Sequence, residues 1–204
     1  MHKVLIVSVL VGALMLTLGA CAPRPAEVGS VAGANPGAAQ QPAVQPPTPR
    51  PTVATPTPRA SYDGPPQPGQ PAPDFALQNL AGEEISLADY AGQPVLVFFW
   101  ATWCGYCRNE IATISAMYPE LQEQGLVILS VDIMEDASVV ADYAEEMGIE
   151  FPILLDADAR LADRYYVRGV PTNVFIDREG VIARMFPGAP EPEQLREYVA
   201  ELSG

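Results

Sequence analysis

Histidine and lysine are almost absent from this chain: His2 and Lys3 are its only examples, side by side at the start. With no histidine further on, a Ser-His-Asp triad cannot be assembled. Cysteine is scarce too, at positions 21, 104 and 107 only. A zinc site built on Cys104 and Cys107 lacks the two further ligands it would need. A haem attachment would require histidine at 108, where Arg108 stands. No Gly-rich phosphate loop is present. Positive charge is thin: the formal net charge is −14 and the pI about 4.3, so nucleic acid and anionic membrane surfaces are poor partners. From Pro71 onward seven arginines face 23 acidic residues. That excess reads as a solvated surface, with a preference for basic protein partners as the alternative.

What is present begins with a leader. Met1-His2-Lys3 precedes the apolar run Val4–Leu18 and then Gly19-Ala20-Cys21, the layout of a secretory signal. The apolar run falls below the ~20 residues of a spanning helix. Leu18-Gly19-Ala20-Cys21 resembles a bacterial lipobox, which implies removal of residues 1–20, lipidation of Cys21 and stable membrane anchoring. An ordinary signal with a spare cysteine and an uncleaved anchor are the alternatives, but a spare thiol is a liability in an oxidising compartment. Residues 21–70 then hold almost no large apolar side chains and are rich in Pro, Ala, Gln and Thr, with Pro47-Thr48-Pro49-Arg50 recurring as Pro56-Thr57-Pro58-Arg59. Such a segment cannot bury enough surface to fold, and is expected to be a disordered tether. Over 22–70 it reaches roughly 40 Å as a coil and about 150 Å if fully polyproline-like.

The remainder, 71–204, is organised around Val95–Cys107. The unbroken run Val95-Leu96-Val97-Phe98-Phe99-Trp100 reads as a strand buried on both faces. It leads into Cys104-Gly105-Tyr106-Cys107 and helix-compatible residues. Cys104 therefore stands at a helix N-terminus, where free amides and the dipole favour a thiolate. Cys107, one turn deeper, can attack a mixed disulfide formed at Cys104. A purely structural bridge across so short a loop removes little unfolded-state entropy.

Around this stretch, 75–79 and 84–86 read as a hairpin and 87–91 as one helical turn. A helix after Cys107 carries Ile111, Ile114 and Met117, with Pro119 expected to kink or interrupt it. A strand over 126–132 follows. Then comes a helix capped by Asp136, with Val139, Val140, Tyr143, Ala144 and Met147 on one face and Gly148 closing it. An extended run over 151–156, a helix over 158–166, a hairpin of 173–177 with 181–186 and a closing helix over 193–202 complete the chain. The order describes an α/β sandwich with a mixed central sheet.

Trp103-Cys104-Gly105-Tyr106-Cys107 after an apolar strand resembles the thioredoxin family. Pro71-Ala72-Pro73-Asp74-Phe75 and its hairpin resemble the entry to the extracytoplasmic oxidoreductases of the ResA/TlpA type, and also to peroxiredoxins. Gly169-Val170-Pro171-Thr172, continuing to Ile176-Asp177 and Gly180, is a second family motif 65 residues after Cys104. The resemblance implies a thioredoxin fold from Pro71 on, with flanking helices, an N-terminal hairpin and a central insertion before Pro171. It implies that Pro171 is a cis-proline facing the cysteines and that Val170 offers backbone to an extended substrate. Trp100 and Trp103 flank the site as core or shielding residues, with Trp103 the candidate for substrate contact. Glu110 matches a glutamate that assists proton transfer in the ResA/TlpA group; a helix-N-terminal acid complementing the dipole is the alternative. Phe98 occupies the place of the buried aspartate of thioredoxins.

The function so implied is thiol–disulfide exchange by a monomer that needs no cofactor. It reduces disulfides of extracytoplasmic proteins, apocytochrome c among the family's substrates, from the outer face of a bacterial membrane. A membrane partner supplies its electrons. A peroxiredoxin is one alternative, but its Thr-x-x-Cys pattern finds Ala101 three residues before Cys104. A tethered, non-enzymatic binding module is the other.

Overall fold

Every residue of Val95–Trp100 is buried, as an uninterrupted apolar run must be if neither of its faces is to meet water. In the computed structural model, which describes residues 64–203, this segment is β3 of a seven-stranded sheet. The leader over 1–20, Cys21 and most of the proposed tether lie outside the described residues. A hairpin of β1 (Ala76–Asn79) and β2 (Glu84–Ser86) and a 3-10 turn (Leu87–Tyr90) precede β3. After it come α1 (Gly105–Glu123), β4 (Val127–Ile133), α2 (Ala137–Met147), β5 (Ile153–Asp156) and α3 (Arg160–Arg164). The chain closes with β6 (Thr172–Ile176), β7 (Ile182–Pro187) and α4 (Pro192–Ser203).

The strand order is β2-β1-β5-β4-β3-β6-β7, with β3, β4 and β5 mutually parallel and the remaining pairs antiparallel. This is the mixed sheet the sequence implies. The insertion before Pro171 contributes α2, β5 and α3, and β5 lies between β4 and the N-terminal hairpin. Alternation along the strands sends Leu96, Phe98, Trp100, Ile128 and Phe175 to one face, under α1, α2 and α4. It sends Val95, Val97, Phe99, Val131 and Val174 to the other, against Leu87, Leu161 and Tyr165. Among the described residues, no helix is long and apolar enough to cross a membrane.

Four local expectations change. Of the two outcomes expected at Pro119, interruption does not occur, since Pro119 lies inside the continuous α1. Its fixed φ suits a helix, and the buried stripe Ile111, Ile114, Met117 and Leu121 carries the helix past the missing bond. The helix expected over 158–166 contracts to Arg160–Arg164. Asp156 accepts from the amides of Leu161 and Ala162 at its start, and Tyr166 takes a left-handed φ of 54° just after it. Val139 is exposed, since 3.6 residues per turn rotate it off the face formed by Val140, Tyr143 and Ala144. Asp136 occupies the N-cap of α2, yet its side chain makes no capping bond.

The topology fixes what meets at the carboxyl end of β3. Because β4 runs parallel to it, Asp132 pairs with Trp100 and the β4–α2 turn falls beside the Ala101–Cys104 turn. Because β6 is antiparallel, with Thr172 opposite Phe99, its entry segment at Val170-Pro171 arrives at the same end.

Candidate active site

Cys104 is the N-cap of α1 and forms a disulfide with Cys107, the two Cα atoms 5.2 Å apart. Gly105 and Tyr106 form the first turn between them. The Cys107 amide donates to Cys104 Sγ over 3.1 Å, the free-amide geometry of a helix start put to use on sulfur. Exposure divides the pair. Cys104 retains 7% of its surface and Cys107 none, so an incoming sulfur reaches only the first. Trp103, 65% exposed, and Tyr106 stand at the rim, whereas Trp100 is buried in the core. Across the site the Val170–Pro171 peptide bond is cis, and Cys104 Sγ lies 3.5 Å from the Val170 carbonyl oxygen.

Glu110 is buried on α1, one turn beyond Cys107 on the same face. Its Oε1 accepts from Asn173 Nδ2 at 2.7 Å, and the same amide donates to the Gly188 carbonyl at 3.0 Å. Glu110 Oε2 has no hydrogen-bond partner among the described residues. Burial pushes the Glu110 pKa up to about 8, the Asn173 hydrogen bond offsetting only part of that rise. The residue is thus a buried acid poised close to neutrality beneath the disulfide. Arg108 in the first turn is engaged elsewhere, over the Tyr143 ring at 5.4 Å and 3.5 Å from Glu146 on α2.

A second buried acid lies on the β4 side. Asp132, 1% exposed, has a pKa raised to about 9, first by burial and then by the neighbouring Glu135. Glu135 in turn accepts from the backbone amide and the hydroxyl of Thr102, both at 2.6 Å.

The structure therefore brings Cys104, Cys107, Glu110, Val170, Pro171 and Trp103 to one end of the sheet. Cys21 lies outside the described residues. Sequence reasoning misses Asn173, Asp132, Glu135 and the hold on Thr102. A signal exists for two of them: Asn173 and Asp132 are polar residues inside otherwise apolar strands, and buried polar groups need partners. Nothing in the sequence tells which partner, since Glu110 and Asn173 are 63 residues apart.

Comparison with known proteins places these features in a family. A family model described as "AhpC/TSA family" matches residues 68–185. The thiol-disulfide oxidoreductase ResA of Geobacillus thermodenitrificans (strain NG80-2) is 35% identical over 134 residues, 66% of this chain and 77% of that protein. ResA of Bacillus subtilis (strain 168) is 31% identical over 131 residues, 64% of this chain and 73% of that one. Among solved structures, a thiol:disulfide interchange protein of the thioredoxin family from Chlorobium tepidum TLS superposes with a TM-score of 0.61 at 26% identity, covering 70% of this chain and all of the other. StoA from Bacillus subtilis gives 0.56 at 28% identity, over 64% and 98% of the two chains.

Proposed function

The chain belongs to the AhpC/TSA family and is a thiol–disulfide oxidoreductase, and from that premise we propose that it is a membrane-tethered reductant of disulfides in extracytoplasmic proteins. The observation that carries the exchange chemistry is the asymmetry of the pair: a cysteine at a helix start that can be reached, backed by one that cannot.

In the proposed cycle the Cys104 thiolate attacks one sulfur of a substrate disulfide. That S–S bond breaks, a Cys104–substrate disulfide forms, and the other substrate sulfur leaves as a thiolate and takes up a proton. Cys107, deprotonated, then attacks Cys104 Sγ and expels the second substrate sulfur, leaving the Cys104–Cys107 disulfide and a substrate reduced by two electrons. Glu110 is the group we assign to take the Cys107 proton; an acid with a pKa of about 8 is matched to that task at neutral pH. The Val170 carbonyl, Pro171 and the exposed ring of Trp103 line the place of an extended substrate segment. A dithiol on a membrane protein returns the two electrons. Lipidation of Cys21 and a tether over 22–70 keep the domain within reach of that donor, and the apocytochrome c disulfide belongs to the proposed substrate class.

Insulin reduction and peroxide consumption by the purified chain, run side by side, test the exchange reading. Insulin reduction that is lost in Cys104→Ser, together with capture of a substrate as a stable mixed disulfide by Cys107→Ser, is expected. Peroxide consumption without insulin reduction would make the chain a peroxidase. Failure of both assays would leave the disulfide a structural tie.

A further inference from the structure

The turn that delivers Cys104 is held at one residue. Thr102 donates both its backbone amide and its hydroxyl to the carboxylate of Glu135, at 2.6 Å each. Two short bonds to one charged acceptor make a firm grip. Glu135 comes from the β4–α2 turn, where Met134 takes a left-handed φ of 63°, a conformation uncommon for a side chain of its size. Behind Glu135, at the end of β4, the carboxyl of Asp132 is buried and neither of its oxygens has a hydrogen-bond partner among the described residues. A carboxylate so placed has no compensation for its lost hydration. Burial first, and Glu135 beside it second, therefore favour the neutral form of Asp132.

We propose that Glu135, with Asp132 buried behind it, is a positioning residue for the dithiol centre: its carboxylate grips Thr102 and so sets how Cys104 is presented at the start of α1. The inference rests on the reading of Cys104 as the attacking sulfur. Its chemical consequence is a limit on the alkaline side. The Asp132 pKa of about 9 marks where a buried negative charge would arise behind the Thr102–Glu135 contact and the grip would loosen. The titratable and charged groups on the elements packed around Asp132 include Glu135 and Asp136 at the entry to α2, Tyr143 on α2, and on α1 the buried Glu110 and Arg108, the latter over the Tyr143 ring and paired to Glu146. On β5 there is Asp156, occupied by the amides of Leu161 and Ala162, and across the turn stands the cysteine pair itself.

The test is the rate at which Cys104 of the reduced full chain is alkylated by iodoacetamide, mapped by mass spectrometry from pH 6 to beyond pH 10. Thr102→Ala, which removes one bond without changing charge, should slow alkylation at neutral pH by about tenfold, the factor one hydrogen bond to a charged group carries. Thr102→Ser should restore the rate. The profile, taken in a Glu110→Gln background so that the ionisation of Glu110 near pH 8 does not overlap it, should show, besides the inflection of the thiol, a second one near pH 9 that Asp132→Asn removes, because an amide cannot ionise. A wild-type rate in Thr102→Ala, or a second inflection that persists in Asp132→Asn, would overturn the proposal. Should Asp132→Asn not fold, the Thr102 pair decides alone. Insulin reduction by the wild-type chain reports separately on the oxidoreductase reading, and its failure would leave these rate ratios untouched.

Discussion

A glutamate in water ionises near 4.5, whereas Glu110 does so at about 8 because it is buried under the disulfide with one oxygen unpartnered among the described residues. Between those two values the unfolded chain has lost a proton that the folded chain keeps. Stability contributed by the neutral acid is therefore complete below pH 4.5, falls as pH rises through the window, and levels off above about pH 8. Glu110→Gln keeps an amide oxygen able to accept from Asn173 and removes the titration. Thermal unfolding of that variant should gain on wild type by on the order of 2–4 kcal/mol between pH 4.5 and pH 8.5; parallel curves would mean that Glu110 is solvated. The same substitution should slow disulfide exchange by about 10- to 100-fold near neutral pH, the range of one general acid or base, measured as single-turnover insulin reduction. At the pair itself, Cys104 should be alkylated faster than Cys107 in the reduced protein, because only Cys104 combines surface exposure with the helix N-terminus. Equal labelling after brief iodoacetamide treatment would reject the assigned order of attack.

Elements form where local signals and burial agree. The helix α2 ends at Gly148, which takes φ 62° and bonds back to Ala144 and Glu145. A Cβ added at that position would meet nothing within 4 Å, so Gly148→Ala isolates the cost of a left-handed backbone, and should lose about 1–2 kcal/mol in denaturant unfolding without altering insulin reduction. Signals of this kind made much of the fold legible in advance. The run Val95–Trp100, the hairpin of 75–79 with 84–86 and the apolar stripe of α1 each had one outcome. Less was legible where tertiary contacts outvote local pattern, as when Asp156 reaches forward to start α3 at Arg160. The site divides in the same way. The cysteine pair and Val170-Pro171 are contiguous motifs, each readable by itself. The Glu110–Asn173 and Thr102–Glu135 contacts join different elements, and only strand register brings them together.

For the whole molecule, the open quantity is the direction of electron flow. The proposed anchor is the first part of it. Cys21→Ser should leave the protein unprocessed or release it from membranes, and a mature N-terminus found by mass spectrometry anywhere but at residue 21 would remove the lipid from the scheme. Direction then depends on how the fold treats the reduced state. Amides at the start of α1 stabilise a thiolate, which favours the dithiol and pushes a couple toward oxidising values, as in strong oxidants. The carboxyls around the pair act the other way. Once Glu110 ionises near pH 8, its charge disfavours thiolates at the cysteines and with them the reduced form. With 23 acidic residues and seven arginines from Pro71 onward, the long-range field has the same sign. The acidic contributions therefore work against the helix, and a reductant is the expected balance. Equilibration in dithiothreitol or glutathione buffers should give a potential near about −250 mV or lower, close to that of thioredoxin. Glu110→Gln should make it less negative above pH 8, where wild type carries the charge. A wild-type potential around −120 mV, the range of a dedicated oxidant, would reverse the direction and end the reductant proposal.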